Sequence, residues 1–285
     1  MAKRDLYEET TARILEQLEK GVIPWRKPWT GGSADMPINI TTGKAYKGSN
    51  VFMLWITGSA YRHQKWLTYE QAKAAGGHVR KGEKGTGLIK WFVKDPDPET
   101  GKSPMFPKAF TVFNIDQCED LPFTVEEAAP INADLRDAMA DEFLLSTGAT
   151  IKHNEQRAYY TTAGDYINLP AYETFTGVAE YYSTAFHELT HWTGNEKRMN
   201  RTFGKQFGDC LYAAEELVAE LGSAFLCAEF GFDNTTLENS AAYIASWHKV
   251  LKNNPALFTK AAGDAYKAAS YLRGLTLAAP VAIAA

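Results

Sequence analysis

Cysteine is scarce in this 285-residue chain. There are three, Cys118, Cys210 and Cys227, an odd number with no C-x-x-C spacing. That argues against a disulfide framework and for a reducing, cytoplasmic setting. Long apolar runs are also missing. The opening "MAKRDLYEETTARILEQLEKG" reads as an amphipathic helix rather than a leader, and the apolar "TLAAPVAIAA" is far too short to span a bilayer. No membrane partner is therefore expected. The chain carries no internal repeat, no low-complexity tract and no polymerase-like carboxylate motif. It also lacks the recognition helix or metal finger common among duplex readers. What is present is ordinary globular material: 45% apolar and 22% charged residues, enough for real cores and too little charge for wholesale disorder.

Charge is unevenly placed. Residues 20 to 94 hold thirteen Lys and Arg against three Asp and Glu, leaving seventeen basic and thirty-one acidic residues for the rest. A split of this kind points to two domains with different partners. The basic stretch is interleaved with rings: Trp25, Trp29, Tyr46, Phe52, Trp55, Tyr61, Trp66, Tyr69, Trp91 and Phe92. Single-stranded nucleic acid needs both elements, cations for phosphates and flat rings for unstacked bases. Trp25 and Trp29 flank Arg26 and Lys27 in a proline-bounded loop, which makes them the first candidates for stacking. Lys44, Tyr46, Lys47, Arg80, Lys81 and Lys84 complete the expected DNA-binding set.

Patterning predicts an α+β chain. A loose helical stripe (Leu6, Tyr7, Ile14, Leu15, Leu18) stops at Gly21. A second helix begins near Ser49 or Asn50. "LTYEQAKAAGG" is a short helix with Thr68 as N-cap and Gln71 three residues on. "HVRKGEKGTGLIKWFVK" reads as two strands around a glycine-rich turn and "MFPKAFTVFNIDQCEDLP" as a further strand. The acidic "EDLPFTVEEAAP" is the expected linker. The boundaries are 1–121 for a small α+β domain, 122–130 for the linker, and 131–285 for a mostly helical domain with a small sheet.

"AFHELTHWTG" carries the chemistry. His187 and His191 lie four apart, so on a helix both imidazoles face one ion. Glu188 sits at the edge of that face, placed to hold a water rather than to ligate. The pattern H-E-x-x-H-x-x-G-x-x-H is excluded: Gly194 is present, but the third histidine position is Lys197. A glutamate from a following helix is the other common third ligand. "AAEELVAELGSAF" offers Glu215, Glu216 and Glu220. Glu216 is the preferred ligand, Glu215 the alternative, and Glu220 the carboxylate that orients a ligand histidine through its other nitrogen. Two histidines, one carboxylate and an open position describe a catalytic zinc site, although manganese or another divalent ion suits the same donors. Glu188 is then the general base and Tyr212 a candidate oxyanion donor. "RAYYTTAGDYINLP" is the candidate edge strand for a peptide substrate.

Seven stretches, in order along nearly the whole chain, carry a resemblance: "GVIPWRKPW", "PINITTGKAYKGSN", "WLTYEQAKAAGGHVRKGEKGT", "VFNIDQ", "DYINLP", "YYSTAFHELTHWTG" and "YAAEELVAELGSAFL". The chain resembles the plasmid-borne antirestriction proteins of the ArdC type. The resemblance implies an N-terminal single-stranded-DNA-binding domain, shared with some conjugative primases, ahead of a zincin-like metallopeptidase domain. It also implies a role in protecting incoming plasmid DNA from host restriction during conjugation. Two readings then compete. One is a DNA-bound metallopeptidase acting on a host restriction-modification protein. The other is a non-proteolytic DNA-occluding protein whose metal domain is structural.

Overall fold

The computed structural model describes residues 5–25, 36–97, 100–101, 103–124, 133–204, 210–232 and 240–278. The first helix, α1 (Leu6–Glu19), starts at Asp5. The Asp5 carboxylate accepts the backbone N–H groups of Tyr7 and Glu8, donors that have no helical partner of their own. Next come β1 (Ile38–Asn39), α2 (Ser49–Gly58), β2 (Lys65–Leu67), α3 (Tyr69–Ala74), β3 (His78–Val79), β4 (Thr86–Val93), β5 (Met105–Asn114) and β6 (Cys118–Glu119). The capping box at α3 forms as its spacing predicts: Thr68 accepts from the Gln71 N–H, and the Gln71 side chain accepts from the Thr68 N–H. The strands β4 and β5 make a long antiparallel ribbon, and the four-stranded sheet runs β1-β2-β5-β4. The two strands expected around the glycine-rich turn do not pair with each other: β3 pairs instead with β6, and β4 with β5. Met53 and Leu54 of α2 meet Trp66, Leu88 and Val112 of this sheet in a small buried cluster.

The second half contains α4 (Ala133–Ser146), β7 (Thr150–Lys152), β8 (Tyr159–Thr161), β9 (Tyr166–Asn168), α5 (Val178–Thr193), α6 (Cys210–Phe230), α7 (Ser240–Asn253) and α8 (Ala256–Ala278). Its sheet runs β7-β9-β8, which leaves β8 at an edge. Every residue of α5 from Tyr181 to Thr193 is buried except Thr184, because the helix is enclosed on nearly all faces. α5 and α6 approach closely at one point. A Cβ on Gly222 would lie 2.5 Å from the Thr190 Cγ2, so only glycine permits this crossing. No helix among the described residues is long and apolar enough to cross a membrane.

The two halves share one hydrophobic core. Ile14, Leu18, Ile23, Trp25, Val51, Phe52 and Trp55 belong to the same buried cluster as Phe225, Trp247 and Phe258. The Phe52 ring lies 4.9 Å from that of Phe225. The Thr11 hydroxyl donates to the Pro255 carbonyl at 2.6 Å.

Trp25 is accordingly not the exposed stacking ring that its loop composition suggests. It is 2% exposed and packs 5.1 Å from the Trp247 ring and 6.1 Å from Phe258. The turn at Gly21 folds Ile23 and Trp25 back beneath α7 and α8, where burying a large ring outweighs exposing it. Arg26, Lys27 and Trp29, like most of the expected linker, lie outside the described residues.

Candidate metal centre

His187 and His191 project from α5 toward α6. Their rings are 4.8 Å apart, and their Nε2 atoms lie 3.5 and 3.6 Å from the two carboxylate oxygens of Glu216. One donor atom from each of these three buried residues falls within 4.8 Å of the others. Bonds of about 2.1 Å to a tetrahedral ion put ligand atoms roughly 3.4 Å apart, so the donor set fits a zinc-like divalent ion.

The opposite nitrogens are held by carboxylates. The Nδ1 of His187 lies 3.3 Å from Glu220 Oε1, and that of His191 lies 3.1 Å from Glu215 Oε1. Both contacts favour a proton on Nδ1, so Nε2, the nitrogen facing Glu216, is the one that would offer its lone pair to an ion. The Glu220 carboxylate thus lies beside the His187 nitrogen that is turned away from Glu216. Glu215, the alternative ligand, does not converge with the donors. Arg201 grips it through Nε at 3.0 Å and Nη2 at 2.8 Å and holds it against His191 instead. Arg201 has no periodic relation to the motif and left no sequence signal. Trp25 Nε1 in turn donates to Glu220 Oε2 at 3.2 Å.

Electrostatics follows this geometry. Burial by itself would raise the Glu216 carboxyl, but the hydrogen bond from His187 and the charges of both histidines outweigh it and hold the group down at about 2. Burial opposes charge on His187 as well, yet Glu216 and Glu220 raise it well above an ordinary imidazole. Glu188 is pushed up, chiefly by burial, against the pull of the two histidines.

Glu188 stands beside the donors without joining them, as its place in the motif requires. Its carboxylate accepts the backbone N–H of Tyr160 on β8. The Tyr160 hydroxyl donates to Asp165 at 3.0 Å and accepts from Asn195 at 2.7 Å, which ties the edge strand to the loop after α5. A cleft of about 800 Å³ opens over the centre, lined by Tyr159, Tyr160 and Thr161 of β8 and by His187, Glu188, His191 and Glu216. Tyr212 lines the same cleft, with its side chain hydrogen-bonded to Glu216. Gly194 ends α5 in a right-handed conformation, and its role is spatial: a Cβ there would meet Phe203 at 2.7 Å and Arg201 at 2.9 Å.

Lys44, Lys47, Lys81 and Lys84 are exposed. Arg80 donates to Glu83 at 2.7 Å and to the Asp116 carbonyl at 2.7 Å. Tyr46 is half-buried against both hydrophobic clusters and accepts from Asn39.

Two histidines and a glutamate on crossing helices, a neighbouring glutamate outside the donor set and an edge strand along the cleft define a zincin-like metallopeptidase fold. Residues 138–264 match the zincin-like metallopeptidase family MPTase-PolyVal, and residues 4–113 match the N-terminal domain of anti-restriction factor ArdC. The chain belongs to the ArdC family of antirestriction proteins. It is 41% identical to the antirestriction ArdC protein of plasmid R388 in its metal-free crystal structure, over 96% of this chain and 98% of that one, with a TM-score of 0.78. The Mn(II)-bound structure of the same protein gives 42% identity, 96% and 99% coverage and a TM-score of 0.81. A DNA primase TraC of Escherichia coli is 39% identical over 93% of this chain, which spans only 27% of that primase. An uncharacterized protein of Sinorhizobium fredii, y4eC, is 32% identical over 94% of this chain and 91% of its own length.

Proposed function

We propose that this chain binds single-stranded DNA and hydrolyses a protein substrate at the α5–α6 centre, protecting incoming plasmid DNA from host restriction. The observation that carries the peptidase reading is Glu188. It lies in the cleft beside three convergent donors and is positioned by the edge strand instead of by the ion site. His187, His191 and Glu216 would hold a divalent ion, with zinc the expected occupant. When bound, that ion supplies Lewis acidity toward a peptide carbonyl and its water. A substrate adds as a strand along β8. Glu188 takes a proton from the water and passes it to the leaving amine; burial, which raises its carboxyl, suits it to hold that proton. Tyr212, at the cleft wall, donates to the developing oxyanion.

The DNA reading rests on the basic, aromatic-rich stretch from residue 20 to 94 and on the likeness to the primases. The test is to incubate the metal-loaded chain with restriction-modification subunits and single-stranded DNA, with Glu188→Gln as control. Fragments that appear with wild type and not with Glu188→Gln support proteolysis. Protection of DNA by both proteins without any fragment would replace the peptidase reading with occlusion.

A further inference from the structure

Beyond its root, the β4–β5 ribbon carries a surface that serves neither hydrophobic cluster. The register sets Lys90 opposite Lys108 and Phe92 opposite Phe106. Side chains alternate across a strand, so these four share one face together with Lys94. The contacts agree. The Phe92 and Phe106 rings stack at 5.6 Å with 19° between their planes, Lys90 Nζ lies 5.2 Å from the Phe92 centroid, and Lys94 Nζ lies 5.6 Å from that of Phe106. Phe106 is 41% exposed, and the three lysines are exposed. The other face of the ribbon carries Trp91, Val93, Met105 and Pro107 and no cation, and its Trp91 ring leans on Tyr7 of α1. Cations and stacked rings are thus segregated to one side. The acidic residues nearby, Asp95 and Asp97, lie at the tip beyond Lys94.

Resting on the single-stranded-DNA reading above, we propose that this Phe92–Phe106 face is where the strand lies. The flat ring pair offers a platform to unstacked bases, and Lys90, Lys94 and Lys108 neutralise the phosphates on either side. A duplex hides its base faces and gains only the charge term. The surface takes over the role that the buried Trp25 cannot fill.

The test uses the full chain, a labelled oligothymidine and a duplex of equal length, titrated by fluorescence anisotropy across a salt series. Phe92→Ala and Phe106→Ala are each expected to weaken single-strand binding about tenfold or more and duplex binding less. Phe106→Tyr keeps the ring and should retain binding, which guards against a folding artefact. Lys90→Gln with Lys108→Gln should reduce the log–log salt slope by about 1.4, roughly 0.7 per lost phosphate contact. If wild type binds single strands and every variant matches it with an unchanged slope, the surface is wrong and the DNA reading stands. Equal losses on both forms of DNA overturn the stacking role. If wild type binds no single strand, the DNA reading falls and this proposal with it.

Discussion

Trp25 and Glu220, far apart in sequence, are joined by a hydrogen bond of 3.2 Å from the indole Nε1 to Oε2 of the carboxylate. The other oxygen of Glu220 lies 3.3 Å from Nδ1 of His187. The segment next to the basic Arg26 and Lys27 therefore reaches the metal centre through a single carboxylate. Trp25→Phe keeps the packing ring and removes the donor. Metal affinity, measured by chelator competition, is expected to fall about tenfold, at the low end for an outer-shell partner. Unchanged affinity would reduce the contact to packing.

The ligand set is tested by stoichiometry. His187→Ala, His191→Ala and Glu216→Ala should each lose bound metal. Glu215→Ala should keep a full equivalent but bind it about 10- to 100-fold more weakly, because His191 loses its orienting partner. A Glu215→Ala protein with no metal, beside a Glu216→Ala protein with full metal, would exchange their roles.

Glu188→Gln should retain both metal and fold while any peptidase activity disappears, since an amide cannot take the water's proton. Cleavage at the wild-type rate by this variant would remove Glu188 from the chemistry.

Acid should destabilise the metal-free chain through the same cluster. The Glu216 carboxyl sits at about 2, below its ordinary 4.5. A group depressed on folding stabilises the fold above its unfolded value and loses that contribution as pH falls toward the folded one. The raised His187 works in the opposite direction, contributing below the ordinary 6.5 and fading as pH rises through its elevated value. The Tm of the chelated protein should drop between about pH 4.5 and 2, and Glu216→Gln should flatten that limb. An acid limb identical in the variant would assign the loss to other carboxylates.

Phe225→Ala tests the shared core. The ring is fully buried and contacts Phe52 and Trp55 of the first half as well as Tyr266 of α8. A cost of about 3–5 kcal/mol in chemical denaturation is expected, felt by both halves in one transition. Two transitions, with only the later half destabilised, would mean that the halves fold separately.

His187, Glu188 and His191 were legible because helical periodicity is a short-range property: four residues of backbone place two imidazoles together whatever the rest of the chain does. The helix stop at Gly21 and the capping box at Thr68 were legible on the same ground; the strands were legible too, but not their pairing, since β3 joins β6 across the chain and leaves β4 to β5. Glu215 and Glu216 were not separable in this way. They are adjacent on α6 and point about 100° apart. Which one faces the two Nε2 atoms depends on the rotation of α6 against α5, and that is set by the Gly222–Thr190 contact and by Arg201. Local composition placed Trp25 in an exposed loop; only the volume enclosed by α7 and α8, built from residues at the far end of the chain, put it inside. Phe92 and Phe106 became a pair only through strand register. Sequence determined the elements and the chemistry each one carries. Tertiary structure decided which side chains meet, because helix rotation and burial are set by packing volumes summed over the whole chain.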